Sequence, residues 1–299
     1  MKTIRIFLAA AALMLVACTP KLPFDNPYGH NHGNGNGNDY GHGNGNSNGG
    51  GNDRPAVSIQ NPHMGHEWVD LGLSVYWSTC NLGAKSPEQY GDYYAWGEIA
   101  PQKDGKYEWD SYEWYYIEGD ALTKYNLNSK YGNVDNKAIL DDDDDASHVQ
   151  WEGTWYMPTT EEILELINGC KWTKKTYKNV AGYEGVSKKN GNSIFVPCNG
   201  AISDSKLQNE DYPTFWSCEL DNSGQEDDSL YGFCFMYGKY DSGGAAYTRY
   251  CGLAIRPVIP LELLTKSGRA RSTRRPVTMA DDGAKAKVAV EGGCRPSAN

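Results

Sequence analysis

The sequence predicts an α+β fold, with a short helix, several short strands and long polar loops between them. Three observations carry that expectation. Residues 158–167 combine helical periodicity with a start signal; short runs rich in Val, Ile, Phe and Tyr, bounded by Gly, Asn and Pro, recur through residues 67–258; and the 299 residues are 39% hydrophobic and 22% charged, enough apolar material for one large soluble domain or two small ones.

Taken in chain order, residues 67–80 read as extended, with Trp68, Val69, Leu71, Val75 and Trp77 interrupted by Gly72. The helix follows Pro158: Thr159 or Thr160 can cap it, Glu161 and Glu162 suit its positive end, and Ile163, Leu164, Leu166 and Ile167 share an apolar face until Gly169 stops it. Gly191 and Asn192 form a turn into a strand over 193–197. Two further strands, over 231–237 and 247–258, flank the Gly-rich loop 241–244.

The termini differ from this central region. Lys2 and Arg5 precede an apolar run over 6–16, the pattern of a secretory signal too short to stay as a membrane span. Leu15, Val16, Ala17 and Cys18 are similar to a bacterial lipobox, which makes Cys18 the lipidation site and the new N-terminus, anchored by its acyl chains. Thr19 after it does not favour inner-membrane retention, so outer-membrane attachment is expected, facing either side. The Gly-Asn repeats of 28–55 lack the apolar surface to offset ordering entropy and read as a flexible tether. Beyond residue 258 aromatic residues stop and Arg269, Arg271, Arg274 and Arg275 cluster, the composition of a disordered basic tail. The expected organisation is therefore a signal peptide (1–17), a lipid-anchored tether (18–57), a head (58–258) and a tail (259–299).

Charge narrows the partners. With 38 acidic against 28 basic residues the formal charge is −10, which argues against nucleic acid, because phosphate binding needs a positive surface. The 21 Tyr and 9 Trp against 6 Phe favour side chains with an apolar face and a polar tip, suited to binding an extracellular glycan or protein.

Several blocks then carry a resemblance. Val69-Asp70-Leu71-Gly72-Leu73-Ser74-Val75 leads into Trp77-Ser78-Thr79-Cys80-Asn81-Leu82-Gly83-Ala84. Tyr90-Gly91-Asp92-Tyr93-Tyr94-Ala95-Trp96-Gly97-Glu98 and Trp155-Tyr156-Met157-Pro158-Thr159 follow, and the head closes on Phe215-Trp216-Ser217 and Gly252-Leu253-Ala254-Ile255-Arg256-Pro257-Val258. In this order they resemble the Fibrobacter succinogenes major paralogous domain found in lipoproteins of gut Bacteroidetes, with Tyr156 standing where that family usually has Arg. The resemblance implies a C-type-lectin-like head of the formylglycine-generating-enzyme-like variant, whose late strands and loops display a ligand face.

That implication directs the search for a site. The expected ligand face comprises Trp216, Glu219, Asp221, Asn222, Tyr237, Tyr240, Asp241, Tyr247 and Tyr250, stiff aromatic contacts interleaved with carboxylates; core filling is the competing reading, and for Trp216 the stronger one. In some lectin-fold lipoproteins retroelements diversify this region, and Cys218 and Cys251 stand where the family often has Ser and Tyr, which makes a variable binding protein one alternative. A structural subunit of a surface or fimbrial assembly is another. An enzyme is a third, but Cys251 lacks a second cysteine a few residues away, and His63 and His66 with Glu67 are weakly spaced as ligands. No nucleophile elbow or phosphate loop is present. The five consecutive carboxylates Asp141 to Asp145 read as a solvated run whose end caps a helix toward His148; Ca²⁺ is the alternative, weakened because five neighbours cannot all converge. Of the eight cysteines, seven remain besides Cys18, an odd number for an oxidising compartment. Cys80 and Cys170 are the preferred disulfide candidates, with buried free thiols as the competing reading.

Overall fold

The computed structural model describes residues 61–221, 228–239, 243–261 and the backbone of 289–291. In chain order the regular elements are β1 (Trp68–Val69), β2 (Val75–Ser78), β3 (Tyr115–Tyr116), β4 (Ala121–Leu122), α1 (Ala146–Trp151), α2 (Thr160–Gly169), β5 (Cys170–Tyr177), β6 (Val180–Ser187) and β7 (Ser193–Pro197). They continue with β8 (Ala201–Ser203), β9 (Lys206–Gln208), β10 (Thr214–Leu220), β11 (Tyr231–Met236), β12 (Gly244–Thr248), β13 (Val258–Pro260) and β14 (Ala289–Glu291). Mostly short strands in small sheets, with two helices among the described residues, make the α+β class that the sequence predicts.

The helix start is built as its sequence dictates. The Thr159 hydroxyl accepts from the Glu162 amide at 3.2 Å and the Glu162 carboxylate accepts from the Thr159 amide at 2.8 Å, a reciprocal cap that satisfies two otherwise orphaned donors. Ile163, Leu166 and Ile167 are buried, whereas Leu164 is half-buried at the edge of that face. Gly169 closes the last turn from inside the helix, and Cys170 passes directly into β5.

One strand expectation needs correction. The run 247–258 is not one strand: β12 ends at Thr248, the chain turns through Arg249, Gly252, Leu253 and Ala254 form isolated bridges to Ile202, Tyr94 and Phe215, and a strand resumes at Val258–Pro260, paired with β2. Arg249 explains the break, because its buried guanidinium donates to the Tyr112 hydroxyl at 2.9 Å and to the carbonyls of Lys124, Tyr125 and Ser229, bonds that replace a ladder. The hairpin of β5 and β6 was not expected. It turns through Lys178 and Asn179, whose φ values of 47° and 68° are those of a two-residue type I′ connection. The tail also holds an element, for β14, Ala289–Glu291, runs parallel to β12.

The sheet β10–β11–β12 decides what the head can expose. Trp216, Cys218, Cys234, Met236, Ala245 and Tyr247 point into one apolar cluster, and Phe215, Phe233 and Phe235 point into a second. Successive side chains of a strand face opposite ways, so this sheet is covered on both sides. Phe215 and Phe235 stack at 4.6 Å in the second cluster, beside Trp77, Ile163 and Leu166. Trp96, Trp155 and Tyr94 fill the first.

Candidate functional site

Of the six described residues of the expected ligand face, four are buried inside the protein. Trp216 and Tyr247 are 0% exposed and Tyr250 and Asp221 are buried. The Trp216 indole donates to the Tyr94 carbonyl at 2.8 Å, Asn209 donates to the Tyr247 hydroxyl at 2.5 Å, and the Tyr250 hydroxyl donates to Asp204 at 3.2 Å. These rings are core residues with satisfied polar tips: Trp216 and Tyr247 lie on a sheet that has no free face, and Tyr250 is buried in the turn that follows β12. Glu219 is half-buried and its carboxylate accepts from the Thr160 amide at 3.1 Å, at the start of α2. Tyr237 packs on Trp172 and Tyr183, with ring centres 5.1 and 5.4 Å away. Asn222, Tyr240 and Asp241 lie outside the described residues, as does Cys18.

The disulfide candidates are corrected too. Cys80 and Cys170 are free thiols, and Cys170 is buried in the cluster beneath α2. Burial pushes the thiols of Cys170 and Cys198 up to about 11 and that of Cys251 up to about 12, so each is held as the unreactive thiol rather than the thiolate. The acidic run is engaged by protein donors. Asp144 meets Lys124 and the Tyr125 hydroxyl, Asp141 pairs with Lys137 at 2.6 Å, and Asp145 caps α1 through the Ser147 and His148 amides while accepting from the Met157 amide. His63 meets the Thr154 hydroxyl at 3.0 Å, and His66 stacks on Trp151 at 3.7 Å. Among the described residues no three His, Cys, Asp or Glu side chains are grouped to hold a metal ion.

A cleft forms elsewhere, on the loops after Trp96. The Trp96 indole is fixed to the Ser217 carbonyl at 3.0 Å, and Gly97 follows with φ of 82°. A side chain at Gly97 would meet Leu140 and Trp114 at 3.0 and 3.2 Å, so glycine lets the Trp114 indole approach and donate to the Gly97 carbonyl at 3.0 Å. That turn delivers Glu98 to the wall of a cleft of about 440 Å³, together with Pro101, Gln102, Lys106, Ser111 and Glu113. Such a volume falls within the range of small-molecule sites, ~300–1,000 Å³.

Glu98 is 5% exposed, yet it has no cationic partner among its hydrogen bonds. Its carboxyl accepts from the Glu113 amide at 2.9 Å and from the Gln102 side chain at 2.5 Å. Desolvation outweighs both bonds and pushes Glu98 up to about 7, so at neutral pH it is divided between a donor and an acceptor form. Gln102 is held in turn by the Ser111 carbonyl at 3.0 Å. Lys106 is drawn to Asp110 at 2.8 Å, leaving the cleft with mixed charge.

The chain leaving Glu113 runs straight into the β3–β4 hairpin. Trp109 and Tyr115 pack together at 4.8 Å below it, while Tyr116 and Ile117 at its turn are 52% and 55% exposed. Tyr116 lies three residues from Glu113, roughly 10 Å along an extended chain. The aromatic run 109–116 and the Trp96-Gly97-Glu98 block are visible in the sequence, but no local pattern in them marks a cleft.

Compared with models of protein families, with curated proteins and with solved structures, the chain matches none.

Proposed function

We propose that this chain is a lipid-anchored binding protein of the outer membrane, whose head takes an extracellular glycan or protein ligand at the Glu98 cleft and the neighbouring Tyr116–Ile117 turn. The observation that carries this reading is a nearly buried carboxyl, hydrogen-bonded but not ion-paired, on the wall of an open cleft whose lining residue Glu113 leads along the chain to the exposed Tyr116 and Ile117. Sites of this kind orient a ligand through a few polar groups and gain affinity from rigid aromatic contacts. The lipobox at Cys18 and the Gly-Asn tether support a role at a distance from the membrane. The C-type-lectin-like assignment of the head is part of the proposal and rests on the sequence blocks that resemble the Fibrobacter succinogenes major paralogous domain. A thiol-dependent enzyme is disfavoured, because Cys251 is fully buried with its thiol raised.

The test is direct. The full chain carrying Cys18→Ser, and therefore without lipid, is applied to glycan and protein arrays. Saturable binding that is lost on Tyr116→Ala supports the proposal. Binding to no array member, or binding indifferent to Tyr116→Ala, overturns it.

A further inference from the structure

The sheet β5–β6–β7 has one face turned to the core and one turned outward. Trp172 packs inward against Phe235 at 5.4 Å, and Ile194 and Val196 join the same cluster. The alternation therefore sends Lys175 and Tyr177 of β5, Glu184 of β6 and Ser193 and Phe195 of β7 to the other face, where Glu184 lies opposite Phe195. These five line a pocket of about 180 Å³, closed at the side by Val69, Thr79 and Pro87. It shares no lining residue with the Glu98 cleft.

The pocket is shaped by particular contacts. Gly182 has no side chain, and Phe195 lies across the space that one would fill. Tyr177, 37% exposed, tilts toward Phe195 at 5.5 Å and 52°, so two aromatic surfaces make an open angle. Lys178 covers Tyr177 at 5.3 Å and pairs with Glu88 at 3.0 Å, which ties the loop beside Pro87 to the hairpin turn. Lys175 and Glu184 pair at 2.5 Å on the same face.

From this arrangement we infer that the pocket is a second binding site, for a single uncharged pyranose ring. Three features select that ligand. The volume is below that of drug-sized sites, ~300–1,000 Å³, so it holds about one ring. Lys175 and Glu184 cancel in charge, so neither an anion nor a cation finds a net field. A pure hydrocarbon would strip water from that ion pair without replacing its hydrogen bonds, whereas a pyranose sets its C–H face on Tyr177 and Phe195 and its hydroxyls against Lys175, Glu184 and Ser193.

The experiment uses the full Cys18→Ser chain, titrated with the methyl glycosides of glucose, galactose, mannose and N-acetylglucosamine and followed by amide NMR shifts. At least one glycoside shifts the amides of residues 175–195, and Tyr177→Ala weakens that binding about tenfold or more while Tyr116→Ala leaves it unchanged. Glu184→Gln, which keeps the shape of the pocket, weakens it as well. Dispersed NMR spectra of each variant establish that it is folded. The inference is overturned if no glycoside shifts these amides up to its solubility limit, if binding survives both Tyr177→Ala and Glu184→Gln, or if a proline-rich peptide binds there and the glycosides do not. An effect of Tyr116→Ala alone places sugar binding in the Glu98 cleft and overturns the second site while leaving the proposed function intact.

Discussion

Replacing Glu98 by Gln removes one ionisable proton and keeps a carbonyl oxygen to accept from the Glu113 amide. In the folded chain the carboxyl is pushed up to about 7 from its ordinary value of 4.5. The folded state therefore holds this proton more tightly than the unfolded state. Its contribution to stability is complete below about pH 4.5 and is lost as pH rises through about 7. At 1.36 kcal/mol per pH unit the raised carboxyl accounts for about 3 kcal/mol across that window. In a head of about 200 residues this corresponds to a fall of roughly 6–12 °C in Tm. The assay is thermal unfolding of the wild type and Glu98→Gln from pH 4 to 8, with the difference between them isolating this group from all others. The expected difference grows in favour of the variant as pH rises and levels off above about pH 8. A difference that is flat with pH, or that favours the wild type at high pH, would refute the argument that desolvation governs Glu98.

Three further outcomes follow from the packing. Tyr247→Ala empties a fully buried site and removes the hydrogen bond from Asn209, so urea unfolding should show a loss of about 3–5 kcal/mol; unchanged stability would return Tyr247 to the surface. Thr159→Ala removes one half of the reciprocal cap of α2 and should cost about 1 kcal/mol in the same assay, with no effect on binding. Iodoacetamide should label Cys80 in the native protein, where it is half-exposed, and reach Cys251 only after denaturation; peptide mass mapping that finds Cys251 modified first would contradict its buried state.

The parts of the fold legible in the sequence are those governed by local rules. The α2 cap follows from Thr159 and Glu162 three residues apart, and β7 from a Gly-Asn turn followed by β-branched and aromatic residues. The β5–β6 hairpin was less visible because Lys178, rather than Asn or Gly, occupies the first left-handed position of its turn. Residues 247–258 misled because an aromatic and apolar run looks the same as a strand and as a buried loop. The carbonyls that hold Arg249 come from residues more than a hundred positions earlier and from Ser229, a tertiary fact without a local signature.

The site was harder for the same reason. Tyr and Trp favour both interfaces and cores, and only the two-sided covering of β10–β11–β12 assigns Trp216 and Tyr247 to the core. Glu98 looked like part of a sequence block; its distinction is physical, arising from burial beside a cleft without a counter-ion. The hairpin that exposes Tyr116 depends on Trp109 and Tyr115 filling the space beneath it, which leaves the next ring outside.

The most direct test of the binding account is the affinity of the Cys18→Ser chain for its strongest array ligand, compared among the wild type, Tyr116→Ala and Tyr240→Ala. Binding at the Glu98 cleft predicts that Tyr116→Ala raises Kd by about tenfold or more, the loss of an exposed aromatic anchor, while Tyr240→Ala leaves Kd unchanged. A Kd that rises with Tyr240→Ala and stays constant with Tyr116→Ala would contradict the account and return the ligand to the late loops.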